Sequence, residues 1–311
     1  MAIRFDGRVA VVTGAGAGLG RAHALGLAKL GARVVVNDMG AARDGSGGSS
    51  SPAQVVADEI IKAGGEAIVD GADVSDFTQV KEMVARATMK WGSVDLMVAN
   101  AGILRDKSFA KMEPDDFAKV IAVHLTGTFN CCRAVWEGMR ERNYGRIVVT
   151  TSSSGLFGNF GQANYAAAKM GIVGLMNVLA EEGRKTNINV NTISPTAATR
   201  MTEGLIPPDA LALMKPEAIT PAVLYLLSED APTRTIMGAG AGSFAVIKVV
   251  ETQGMNLPQA QWTPDDIAKN FEKIGDMSTA RDLGGAFFQT FKYIEQAAKA
   301  AGIKLPPMGG A

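Results

Sequence analysis

The sequence predicts an α/β fold: a doubly wound parallel sheet with a helical extension at its C-terminal end, divided into residues 1–251 and 252–311. Three observations predict it. Short β-branched runs alternate with helix-length segments. A glycine-rich turn joins the first run to the first helix. After about Glu251 no further strand pattern occurs.

The expected strands cover 8–13, 33–37, 66–70, 94–99, 146–151 and 188–193, with a last one at 244–250. The first six are apolar throughout, as parallel strands buried on both faces require. The expected helices cover 19–30, 52–63, 76–91, 114–142 and 164–186. Residues 40–51 are rich in Gly and Ser and read as a flexible loop. In the extension, Thr263-Pro264-Asp265-Asp266 is a helix start signal. A short helix should run to about Ile274 and a longer one over 280–300, with residues 305–311 frayed.

Composition excludes several classes of function. Lys plus Arg and Asp plus Glu both number 31, so the chain has no general attraction to nucleic acid or to an anionic membrane. With 47% hydrophobic and 20% charged residues, a sizeable core can be buried. No apolar stretch reaches the ~18–20 residues that span a bilayer. The first residues run directly into an apolar strand, and no signal peptide is expected. The only cysteines, Cys131 and Cys132, are adjacent and read as reduced packing residues of a cytoplasmic protein. No metal site is expected.

The first strand enters Thr13-Gly14-Ala15-Gly16-Ala17-Gly18-Leu19-Gly20. Glycines let the chain turn sharply and bring backbone N–H groups close to a pyrophosphate at the helix start. Asp38 ends the second strand, twenty residues beyond Gly18. A carboxylate there accepts ribose hydroxyls and repels a 2′-phosphate, so NAD is expected over NADP. Two other readings remain: Asp38 as a turn residue, and Arg43 as a partner for a 2′-phosphate.

Tyr165 and Lys169 lie four apart on an expected helix and share a face. An ammonium beside a phenol favours the phenolate, and the positive charge of NAD+ acts the same way. Tyr165 could then take a proton from an alcohol or return it to a ketone. Ser152 stands thirteen residues earlier at the end of the fifth strand, with Ser153 and Ser154 as neighbouring alternatives.

This order of motifs resembles the short-chain dehydrogenase/reductase family, whose glycine spacing is T-G-x-x-x-G-x-G and whose sheet is of the Rossmann type. The resemblance implies an oxidoreductase. Thr13, Gly14, Gly18, Leu19, Gly20, Asp38, Asp73, Val74, Asn100, Ala101, Gly102, Tyr165, Lys169 and Pro195 would bind the cofactor. Ser152, Tyr165, Lys169 and His124 would be catalytic. His124 occupies a place where the family often has Asn, and either holds water, relays a proton or is structural. His23 reads as packing.

The finer text is similar to the (3R)-3-hydroxyacyl-CoA dehydrogenase branch of that family, including Asn100–Asp106, Gly158–Tyr165, the Gly-rich insertion after Asp38 and His124. It implies oxidation of a (3R)-3-hydroxyacyl-CoA to the 3-oxoacyl-CoA by a homodimer or homotetramer, paired through the helices over 114–142 and 164–186. The acyl pocket would lie over Leu156 and Phe157, with a lid at 205–208. A hydroxysteroid or other secondary-alcohol dehydrogenase is the alternative enzyme, and an NAD-binding regulatory protein the alternative without catalysis.

Overall fold

The structure is a computed structural model that describes residues 2–48, 51–197 and 207–305. It forms two compact units, Met1–Ile247 and Lys248–Ala311. The first holds one eight-stranded sheet in the order β3-β2-β1-β4-β5-β6-β7-β8. The strands are β1 (Val9–Thr13), β2 (Arg33–Asn37), β3 (Ala67–Asp70), β4 (Leu96–Ala99), β5 (Gly145–Thr150), β6 (Ile188–Thr196), β7 (Ile236–Gly240) and β8 (Ser243–Ile247). Order reverses between β1 and β4, which opens a crevice at the strands' C-terminal ends.

The helices of this unit are α1 (Gly18–Lys29), α2 (Ser51–Lys62), α3 (Phe77–Trp91), α4 (Pro114–Ile121), α5 (Gly127–Arg142), α6 (Ser153–Phe157), α7 (Ala163–Gly183), α8 (Pro208–Leu213) and α9 (Thr220–Leu226). All five residues of β1 are buried, because alternate side chains meet helices on opposite faces. Ala10, Val12, Val34, Val36 and Val98 pack with Leu27, Ile60 and Val223. Val9, Val11, Val35, Met97 and Val149 pack with Met83, Trp136, Ile172 and Met176. Each large apolar side chain so buried contributes about 1.5–3 kcal/mol. The Asp76 carboxylate caps α3, accepting from Thr78 N at 2.8 Å and Gln79 N at 3.3 Å.

Several elements differ from expectation. The sheet is mixed, since β8 runs antiparallel to β7. Only Ala241 and Gly242 separate them, with φ of 47° and 79°. A two-residue loop with positive φ at both positions makes a hairpin, so a parallel crossover has no room here. The helix expected over 114–142 is interrupted by a π turn, Ala122–Thr126.

In the second unit, α10 (Pro264–Ile274) starts at Thr263, whose hydroxyl accepts from Asp266 N at 3.1 Å. α11 (Ala286–Ala301) begins later than expected. Glu251 pairs with Arg281 through two backbone hydrogen bonds of 3.0 Å and forms an ion pair with the buried Lys292 of α11. Residues 205 and 206 of the lid expected at 205–208 lie outside the described residues, as does the end beyond Leu305; α8 starts at Pro208.

Candidate active site

A cavity of about 550 Å³ opens where β1 and β4 part. Of the residues expected to bind a cofactor, Gly14, Gly18, Leu19, Gly20, Asp38, Asp73, Val74, Asn100, Ala101 and Gly102 line it. Thr13, Tyr165, Lys169 and Pro195 do not. Thr13 is buried, and its hydroxyl accepts from Asn100 N at 3.0 Å and Ala101 N at 3.1 Å. In return the Asn100 amide donates to Thr13 O at 3.0 Å. These bonds lock the glycine loop to the turn after β4. Pro195 sits within β6, in register with Ala239.

The cavity is shaped for a dinucleotide. Ala17 stands at the N-cap of α1 with no side-chain cap, so the first N–H groups of the helix remain available to phosphate oxygens. A Cβ on Gly20 would lie 2.1 Å from Gly14 O, so only glycine lets the loop fold back this tightly. Asp38 accepts from Gly16 N at 2.8 Å and Gly40 N at 2.7 Å. A carboxylate has about four acceptor positions, which leaves capacity for ribose hydroxyls. Asp73 accepts from both Ser75 N and Ser75 Oγ at 2.8 Å, which shapes the wall beside Val74. These residues fit NAD.

Sequence reasoning missed part of this wall. The insertion after Asp38 packs against the cavity: Leu104 N donates to Arg43 O at 2.9 Å, and Arg105 Nε to Asp44 O at 3.1 Å. Arg43, Asp44, Arg105 and Val123 all line the cavity. Arg105 lies within the Asn100–Asp106 text, but its place in the wall was not legible there, because its partners Asp44 and Asp115 come from other elements.

Ser152 follows β5 and caps α6, its Oγ accepting from Ser154 N at 3.2 Å. Tyr165 lies in the first turn of α7 and Lys169 one turn further. Lys169 is buried; its Nζ donates to Thr150 O at 2.7 Å and lies 5.5 Å from the Tyr165 ring centroid. Burial lowers its ammonium to about 7. Burial also pushes the Tyr165 phenol up to about 12, with hydrogen bonding to Ser152 pulling it down and the Asp106 charge pushing it up. In the chain alone, desolvation outweighs the Ser152 hydrogen bond and holds the phenol above its ordinary value.

His124 sits in the π turn, a feature that often accompanies functional sites. Its Nε2 lies 3.0 Å from Ile103 N and 2.8 Å from Ile103 O, and its ring meets Tyr165 edge-on at 5.0 Å. A Cβ on Gly102 would approach the ring to 2.2 Å, so Gly102 makes room for it. The Nδ1 atom is buried without a partner. Burial, with the Lys169 charge, lowers His124 to about 3, so the ring is neutral near pH 7. His23 is equally buried, its Nδ1 3.0 Å from Thr220 Oγ1 between α1 and α9.

A glycine loop and an acidic residue after the second strand line one crevice, and the short chain dehydrogenase family profile matches residues 8–208. The chain belongs to that family; it is an NAD-dependent oxidoreductase. The chain is 47% identical over 277 residues to the peroxisomal hydratase-dehydrogenase-epimerase of Saccharomyces cerevisiae, covering 88% of this chain and 31% of that protein. The structure of full-length peroxisomal multifunctional enzyme type 2 from Drosophila melanogaster matches with a TM-score of 0.80 at 38% identity, over 96% of this chain and 50% of that one. A short chain dehydrogenase from Mycobacterium avium matches with a TM-score of 0.75 at 41% identity, over 89% of this chain and 97% of that one. The chain spans between 31% and 61% of the length of the multifunctional relatives it matches. Those relatives are named as peroxisomal enzymes, which overturns the expectation of a cytoplasmic protein. Cys131 and Cys132 are buried and unpaired, and that state does not distinguish one reducing compartment from another.

Proposed function

We propose that the chain oxidises (3R)-3-hydroxyacyl-CoA to 3-oxoacyl-CoA with NAD+. The observation that carries the reading is the convergence of Ser152, Tyr165 and Lys169 beyond the cavity's Gly102 end, where His124 touches both Gly102 and Tyr165. Bound NAD+ supplies the acceptor for the C3 hydride. Tyr165 takes the hydroxyl proton, and Ser152 holds the oxygen as it becomes a carbonyl. Lys169, anchored on Thr150 O, holds positive charge near the phenol and favours its ionised form when the cofactor's charge is added. His124 remains neutral and fixes the turn after Asn100 against Tyr165.

The thioester substrate is supported by the relatives from Saccharomyces cerevisiae and Neurospora crassa, whose names join a hydratase to a dehydrogenase. A hydratase acting on an enoyl thioester yields the 3-hydroxy compound that this chain would oxidise. Replacing Tyr165 with Phe removes the proton acceptor while preserving the ring. Turnover should fall by about 10²–10⁴-fold, with NADH binding retained. Unchanged turnover in Tyr165→Phe would sink the reading.

A further inference from the structure

Asn164, immediately before Tyr165, is fully buried, and its side chain is hydrogen-bonded at both ends. Its Oδ1 accepts from Tyr165 N at 2.7 Å. Its Nδ2 donates to Arg105 O at 3.0 Å and to Asp116 O at 3.2 Å. The Gln162 N-cap of α7 contributes no side-chain cap, so Asn164 satisfies an N–H that the helix itself leaves open. One amide thus joins three backbones: α7 at the proposed acid/base, α4, and the segment 103–107.

That segment leads back to the cofactor cavity. It follows the Asn100-Ala101-Gly102 turn that lines the cavity, and its Ile103 holds His124. Leu104 and Arg105 bind the backbone of the loop after Asp38. Toward α7, Lys107 N donates to Gly161 O at 2.9 Å and Gln162 Nε2 to Asp106 Oδ2 at 2.8 Å. Among these ties only the Asn164 amide is both buried and adjacent to Tyr165.

We infer that Asn164 is a positioning residue that sets the distance between the cofactor-side segment 103–107 and the Tyr165 hydroxyl. Hydride and proton leave adjacent atoms of the substrate, so the cofactor side and the phenol must be held in register with each other. A displacement of about 1 Å at such a site can cost about a hundredfold in rate. The inference rests on the proposed role of Tyr165.

Asn164→Asp is nearly isosteric; it keeps the acceptor for Tyr165 N and loses both donors to the carbonyls. Its kcat should fall about a hundredfold, with NADH affinity, read by fluorescence, within about twofold of wild type. A primary isotope effect from 3-deuterated substrate should grow as hydride transfer becomes limiting, which a loss of folded protein would not cause. Asn164→Ser, too short to span to both carbonyls, should behave alike and serves if the Asp variant does not fold. A folded variant with wild-type kcat and isotope effect overturns the inference, as does a rate loss that only tracks weaker NADH binding. With Tyr165→Phe assayed alongside, full turnover in that variant would instead remove the reading on which the inference rests.

Discussion

Lys169 pairs function with instability at the residue scale. Its folded pKa is near 7, against 10.5 for an ordinary lysine. Below about pH 7 both folded and unfolded chains carry the charge, and burying it costs stability in full. Between about 7 and 10.5 the unfolded chain binds more protons than the folded one, so this residue's contribution to stability rises with pH. The stability difference between wild type and Lys169→Met should therefore shift in favour of wild type on moving from about pH 7 to about pH 9, by on the order of a few kcal/mol. Urea denaturation midpoints at the two pH values measure it, and an identical difference at both would mean the ammonium is not desolvated. The type and spacing of Tyr165, Lys169 and Ser152 were legible as text, because the chemistry needs them within one strand end and one helix turn. Asn164 was not, because its donors reach carbonyls 59 and 48 residues away.

At the scale of elements, β1, β2, β4 and β5 were legible because each is apolar on both faces. β7 escaped detection: Ile236-Met237-Gly238-Ala239-Gly240 has two glycines and one β-branched residue. The hairpin that follows has Ala at a positive-φ position, where Asn or Asp would have signalled a turn. The π turn was hidden too, since the helical apolar pattern continues through it. That turn carries the His124 ring against Gly102, and the contact can be tested. A methyl group at Gly102 would press on a ring held by Ile103 and by Tyr165. Gly102→Ala should destabilise the fold by about 1–3 kcal/mol and lower kcat as well. Gly174→Ala, on α7 with open space around it, should be neutral or stabilising by up to about 1 kcal/mol. Equal midpoints and rates for the two variants would show that His124 does not depend on the space Gly102 leaves.

At the scale of the whole molecule, the first unit contains the cofactor cavity and every residue assigned a chemical role, and the second is organised internally around Glu251 and Lys292. The alternation of strands and helices made the architecture readable from the sequence, while compartment was not, because buried thiols and a balanced charge suit many locations. Substrate identity is likewise a property of no single motif, since the same crevice can serve alcohols of many shapes. The most direct measurement is the initial rate of NADH formation with (3R)- and (3S)-3-hydroxyacyl-CoA and with free hydroxysteroids. The account predicts turnover of the (3R) thioester, exceeding the (3S) form and the free alcohols by about a hundredfold or more in kcat/KM. Activity confined to free steroids or other secondary alcohols, or equal rates for the two enantiomers, would contradict it.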